Sequence, residues 1–188
     1  MTTIDLLNKG LTEIPYWLKD RNDIFELDLS YNKITEIKNL PPNLQYLWLN
    51  NNDITNIQNL PPYLKILSLS NNKITYIQNL THNLQELYLR CNKITKIKNL
   101  PHNLKTLSLS NNNITQLPFE LSLLHRLEKF YYYNNHIEYI NPATQRWLRR
   151  FERNSENTKV YSDSQNIHNS NIQKSFRKSV INIMKDKI

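Results

Sequence analysis

Glycine is almost absent from this chain: Gly10 is the only one in 188 residues. That excludes a glycine-rich loop that cradles phosphates on bare backbone amides, and it leaves the tight turns to asparagine. Cysteine is equally scarce. The lone Cys91 has no partner for an internal disulfide, and the sequence register around it supplies no base to activate a thiol nucleophile. No segment approaches the roughly 18 uninterrupted apolar residues of a membrane span. The opening MTTIDLLNKG lacks the basic region, apolar block and small-residue cleavage site of an export signal. These absences favour an intracellular, cytoplasmic setting. His82, His102, His125, His136 and His168 are scattered. Of these, His82 and His102 share one register, but no third ligand joins them, so no metal, no cofactor and no catalytic residue is expected.

What the chain does have is a period. Leu44, Leu64, Leu84 and Leu104 fall 20 residues apart, and their surroundings repeat with them. One unit reads LQYLWLNNNDITNIQNLPPY and the next LKILSLSNNKITYIQNLTHN. Six units open at Ile24, Leu44, Leu64, Leu84, Leu104 and Leu127, with a degenerate earlier one over residues 4–15. Within a unit, Leu47 and Leu49 alternate with Tyr46 and Trp48, the pattern of a short half-buried strand. Asn52 follows where the chain turns away, and Asn32, Asn72, Asn92, Asn112 and Asn135 hold the same place. Asparagines repeated at one register read as a stacked internal ladder that satisfies backbone groups stripped of partners by the turn. Ile54, Ile57 and Leu60 carry the return path. A unit of this kind cannot close a core alone, so neighbours must stack into a solenoid.

The pattern LxxLxLxxNxL resembles that of the leucine-rich repeat (LRR) family, and it covers roughly three quarters of the chain. The short unit with its x-L-P-x-x-L linker is similar to the repeats of bacterial effector-type LRR proteins. That resemblance implies an α/β repeat solenoid: a curved stack with a parallel concave sheet, a mostly irregular convex side and a small helical C-terminal segment. Pro41-Pro42 and Pro61-Pro62 favour extended backbone in the linker. The longer unit from Leu104, which carries PFELSLLHR, has room for a helical turn. Bacterial effector LRR proteins often continue into a ubiquitin-ligase domain with a catalytic cysteine. Here no cysteine follows Cys91 and the tail is too short for such a domain, so that activity is not carried over.

Three regions follow: residues 1–23 as a degenerate N-terminal repeat or cap, 24–140 as the solenoid, and 141–188 as a basic tail with two helices. The net charge of +8 is uneven: residues 1–140 hold 14 Lys/Arg against 12 Asp/Glu, and 141–188 hold 10 against 4. In the first expected helix Trp147, Leu148 and Phe151 share a face, while Arg146, Arg149, Arg150 and Arg153 crowd the others. A second helical pattern runs through Ile172, Phe176, Val180, Ile181 and Met184, and a short strand is expected at residues 159–161. An amphipathic helix is suited to covering the raw core of a solenoid's last coil. The alternative for the four arginines is contact with nucleic acid or an acidic surface.

Function belongs on the strand positions that stay out of the core. They form three columns: Glu26, Tyr46, Ile66, Glu86, Thr106, Lys129; then Asp28, Trp48, Ser68, Tyr88, Ser108, Tyr131; then Ser30, Asn50, Ser70, Arg90, Ser110, Tyr133. Trp, Tyr and Arg are the side chains most enriched at binding hot spots. The expected partner face is therefore Glu26, Asp28, Tyr46, Trp48, Glu86, Tyr88, Arg90, Lys129, Tyr131 and Tyr133. The reading is a non-enzymatic module for protein–protein interaction that binds a protein or peptide, as a monomer or in weak self-association. The alternatives are a nucleic-acid or acidic-surface binder working through the basic tail, and an adaptor or effector that recruits a target.

Overall fold

The computed structural model describes residues 2–152. The second helical pattern, the strand expected at residues 159–161 and Arg153 lie outside the described residues. Each 20-residue unit forms one coil, and successive coils stack through a parallel sheet. Its strands are β1 (Thr2–Asp5), β2 (Ile24–Asp28), β3 (Tyr46–Trp48), β4 (Ile66–Ser68), β5 (Glu86–Tyr88), β6 (Thr106–Ser108) and β8 (Lys129–Tyr131). They pair in chain order as a seven-stranded sheet. A second, two-stranded ladder joins β7 (Gln116–Leu117) to β9 (Tyr139–Ile140) on the return side. The chain then enters α1 (Pro142–Glu152).

The register explains why the repeat length is held so strictly. Leu27, Leu47, Leu67, Leu87 and Leu107 lie side by side through the sheet, with Phe130 taking the last place. These leucines are fully buried, as are Leu49, Ile54 and Ile57 of the coil between β3 and β4. A one-residue slip would send every such side chain to the opposite face. Between β2 and β6 the return path has no helix, and its one regular contact there is the isolated bridge Tyr76–Lys96. The longer unit does hold a helical turn, a 3₁₀ segment at Phe119–Leu123.

Asparagine replaces glycine throughout the turns. Among the described residues eleven non-glycine residues have positive φ, and all but Tyr31 and Cys91 are asparagines. Two left-handed positions recur in each of the four 20-residue units: Asn51 (φ 55°) just before the ladder residue, and Asn59 (φ 53°) before the linker. Asparagine tolerates this region better than other side chains because its amide bonds locally. Tyr31 (φ 58°) and Cys91 (φ 56°) occupy the first position with no such help. Cys91→Asn is therefore expected to raise stability by about 0.5 kcal/mol, read as a higher urea midpoint at unchanged slope.

The conserved-register asparagines form the expected ladder. Asn72 Nδ2 donates to the carbonyls of Leu49 (2.9 Å) and Leu69 (3.0 Å), and its Oδ1 accepts from the Ile54 amide at 3.0 Å. Asn32, Asn52, Asn92 and Asn112 are buried and bonded in the same way, and Asn135 repeats the bonds in a half-buried place at the last coil. Two further ladders run beside it. Asn39, Asn59 and Asn79 donate to the carbonyls of Ile14, Ile37 and Ile57. Asn43, Asn83 and Asn103 donate to those of Asn22, Pro62 and His82. Each bond crosses from one coil to the preceding one, so asparagine supplies the cohesion that a glycine-poor turn would otherwise lack.

At the C-terminal end the core changes from leucine to aromatic. Phe130 stacks on Tyr132 at 4.8 Å, and α1 lays Trp147 and Phe151 against Phe130 at 5.8 and 6.4 Å. Leu148 and Phe151 are buried. Thr144 Oγ1 donates to the Pro118 carbonyl at 2.7 Å, anchoring the start of the helix. The first tail helix thus covers the last coil.

A candidate binding face on the parallel sheet

The solvent side of the sheet is built by the alternation within each strand. With Leu47 committed to the core, Tyr46 and Trp48 must face out, and the parallel register then aligns them with their neighbours. Glu26, Tyr46, Ile66, Glu86, Thr106 and Lys129 form one line, and Asp28, Trp48, Ser68, Tyr88, Ser108 and Tyr131 the next. Both columns match the order expected from sequence. The register also adds Thr3 and Asp5 of β1 beside Glu26 and Asp28. Sequence reasoning missed these two because the first coil lacks the ladder asparagine, although the alternation of Ile4 and Leu6 was a usable signal.

The middle column is uneven in height. Ser68 and Ser108 are only 7% and 8% exposed, whereas Trp48, Tyr88 and Tyr131 between and beside them are half-buried. The aromatic rings stand as ridges and the serines form the floors of two notches. Two of the ridges are held in place. Trp48 stacks with Tyr46 at 6.4 Å and an interplanar angle of 15°. The Tyr88 hydroxyl donates to Glu86 Oε2 at 2.6 Å. Burial first, and then this bond to a carboxylate, push the Tyr88 hydroxyl well above the ordinary phenol range. In the third column Asn50 Oδ1 accepts from Ser68 Oγ (2.7 Å) and from the Ser70 amide (2.9 Å). Ser30 and Ser110 are buried there, Arg90 is exposed, and Tyr133 is half-buried on the last coil.

Charge is uneven along the face, with Glu86 near its middle bonded to Tyr88. Asp5, Glu26 and Asp28 gather at the N-terminal end and, with Thr3, Ile4 and Trp48, line one shallow hollow. Arg90 and Lys129 lie exposed toward the other end. The three tail arginines among the described residues have different settings. Arg150 donates to the carbonyls of Leu124 (3.0 Å), Leu127 and His125. Its guanidinium also lies 4.8 Å from the Trp147 ring centroid and 4.7 Å from that of Phe151. It clamps α1 onto the last coil. Arg146 and Arg149 are exposed. His82 and His102 are exposed on the linkers, and Cys91 is half-buried at a left-handed turn.

Comparison with known proteins agrees with this architecture. The family model described as Leucine Rich repeats (2 copies) matches residues 25–62 and 64–102, and that described as Leucine Rich Repeat matches 103–124, together more than half of the chain. No curated protein matches by sequence. Among solved structures, the LRR domain of a Shigella effector superposes with a TM-score of 0.61 at 22% identity, over 80% of this chain and 76% of that one. An LRR protein of Leptospira interrogans gives 0.57 at 28% identity, over 75% of this chain and 44% of that one. TLR13, solved as a TLR13–ssRNA13 complex, gives 0.64 at 25% identity, over 74% of this chain but 22% of its own length. The 20-residue coils, the asparagine ladder and these matches agree, and the chain belongs to the leucine-rich repeat family.

Proposed function

We propose that this chain is a non-enzymatic binding module that captures a protein or peptide on the concave face of its sheet. LRR solenoids are widely used as scaffolds for protein–protein interaction, but the fold alone names no partner, so the argument rests on the site. The observation that carries it is the row of three aromatics, Trp48, Tyr88 and Tyr131, on alternate strands of one register. Such side chains bury large area with few rotors, and two of them, Trp48 and Tyr88, are pre-ordered by Tyr46 and Glu86, which lowers the entropy lost on binding. Tail arginines as a nucleic-acid contact are less well supported, since Arg150 is already engaged with backbone carbonyls.

The test is affinity capture with the full chain against a Trp48→Ala/Tyr88→Ala/Tyr131→Ala variant that circular dichroism shows to be folded. The partner, identified by mass spectrometry, is expected to bind the variant at least a hundredfold more weakly, from roughly 1–2 kcal/mol per hot-spot aromatic. Equal recovery by both forms would remove the concave face from consideration. Recovery of a nucleic acid that leaves steeply with added salt would transfer the function to the basic tail.

A further inference from the structure

The binding face has a repeat of its own, and that repeat specifies a ligand conformation. Trp48, Tyr88 and Tyr131 lie on β3, β5 and β8, with Ser68 on β4 and Ser108 on β6 between them. Neighbouring strands are about 4.8 Å apart, so ridge follows ridge at about 9.6 Å across the strands. A polyproline II helix has three residues per turn and rises about 3.1 Å per residue, so it repeats about every 9.3 Å. Laid across the strands, it places every third side chain in a notch. A β-strand in the same orientation brings side chains to one face about every 6.8 Å, and an α-helix repeats every 5.4 Å. Neither keeps step with the two notches. Aromatic-walled grooves are also the surfaces on which polyproline II segments dock elsewhere, because the ligand arrives already ordered.

Charge fixes which way the ligand lies. At the N-terminal end Asp5, Glu26 and Asp28 share the hollow beside Trp48. Each has one oxygen on a local donor: Asp5 Oδ1 accepts from the Leu7 amide, Glu26 Oε2 from Thr3 Oγ1 and Asp28 Oδ1 from the Ser30 amide. The salt bridges among the described residues, Arg21–Asp23, Lys38–Glu13 and Lys73–Asp53, leave all three carboxylates without a cation. A guanidinium or ammonium placed over the Trp48 ring meets the π face and the carboxylates together.

We propose that the occupant of the concave face is an extended polyproline-II-type peptide, with an Arg or Lys over Trp48 in the acidic hollow and apolar side chains at every third position in the two notches. The proposal rests on the concave-face reading above and goes beyond it in naming the partner's conformation and charge.

The probe is a fluorescein-labelled peptide RPPLPPLPPE, tested together with its reversed sequence EPPLPPLPPR, by fluorescence polarisation against the full chain. At least one of the two is expected to bind, and Arg→Glu in that peptide is expected to weaken it at least tenfold. Asp5→Lys/Asp28→Lys in the protein should cause the same loss and should restore binding of the Glu-substituted peptide. Shifting the leucines from three-residue to four-residue spacing should also cost at least tenfold. The proposal is overturned if neither peptide binds, if the Arg and Glu forms bind alike, or if the four-residue spacing binds as well. A captured partner that needs Trp48, Tyr88 and Tyr131 but is indifferent to Asp5→Lys/Asp28→Lys overturns it too, while leaving the concave face as the binding surface.

Discussion

Asn72→Ala is expected to destabilise the chain by about 3 kcal/mol, although it removes only a few polar atoms. The amide of Asn72 spans two coils. Its Nδ2 satisfies the carbonyls of Leu49 and Leu69, and its Oδ1 holds the Ile54 amide. All of this lies in a buried seam, where Asn72 is 8% exposed. Alanine would leave the Ile54 N–H without a partner, and it would remove one of the two donors from each carbonyl, Leu49 keeping Asn52 and Leu69 keeping Asn92. The orphaned amide costs about 1–2 kcal/mol and each lost carbonyl bond about 0.5–1 kcal/mol. Asn72→Asp is expected to be no better. A carboxylate keeps the acceptor for Ile54 but presents oxygen to the two carbonyls. Urea unfolding followed by circular dichroism reads the loss. Because coils interact with their nearest neighbours, the defect in the middle of the stack should also broaden the transition, as the two halves lose their coupling. A change below about 0.5 kcal/mol, in the range of an ordinary surface substitution, would show that the ladder bonds are replaceable.

The same asparagines show how much of this fold was legible in the sequence. A strict period places strands, core and ladder together, because a solenoid allows one spatial answer for each register. The ladder residues and the two outward columns therefore followed from counting. Other features did not. Asn39, Asn59 and Asn79 recur at the same period, but beside prolines they read only as linker, and their cross-coil bonds emerge once the coils are stacked. Thr3 and Asp5 were hidden by the first coil, where Lys9 stands at the ladder register. At that register the Lys9 and Leu11 amides are accepted by Asn32 of the next coil. Arg150 is the third case. Composition marks an arginine-rich helix without telling which guanidinium will meet the carbonyls of Leu124 and Leu127. The notches, by contrast, were present in the sequence as aromatic and serine alternating down one column.

The end of the stack should fail differently from its middle. Leu148→Ala/Phe151→Ala removes the two most buried apolar side chains that α1 lays on the last coil, which are 6% and 8% exposed. Each truncation in a core costs about 2–5 kcal/mol, and because these two lie on one face of one short helix, the pair is expected to cost about 4 kcal/mol rather than the full sum. Where that loss appears matters more than its size. In a nearest-neighbour stack the penalty falls on the terminal coil, so β8 and β6 should lose hydrogen-exchange protection while β2 to β4 keep theirs. The uncovered Phe130 and Leu127 should then make the chain self-associate, measurable by sedimentation. Arg150→Met tests the same cap while keeping Leu148 and Phe151, although it also takes the guanidinium from the Trp147 and Phe151 rings. It takes the guanidinium donor from the carbonyls of Leu127, His125 and Leu124, the last of which keeps the Leu127 amide; the cost is about 2 kcal/mol, and the exchange pattern should be the same in weaker form. If protection instead fell evenly from β2 to β8, the coils would be behaving as one cooperative unit, and α1 would be part of that unit rather than a lid on its final turn.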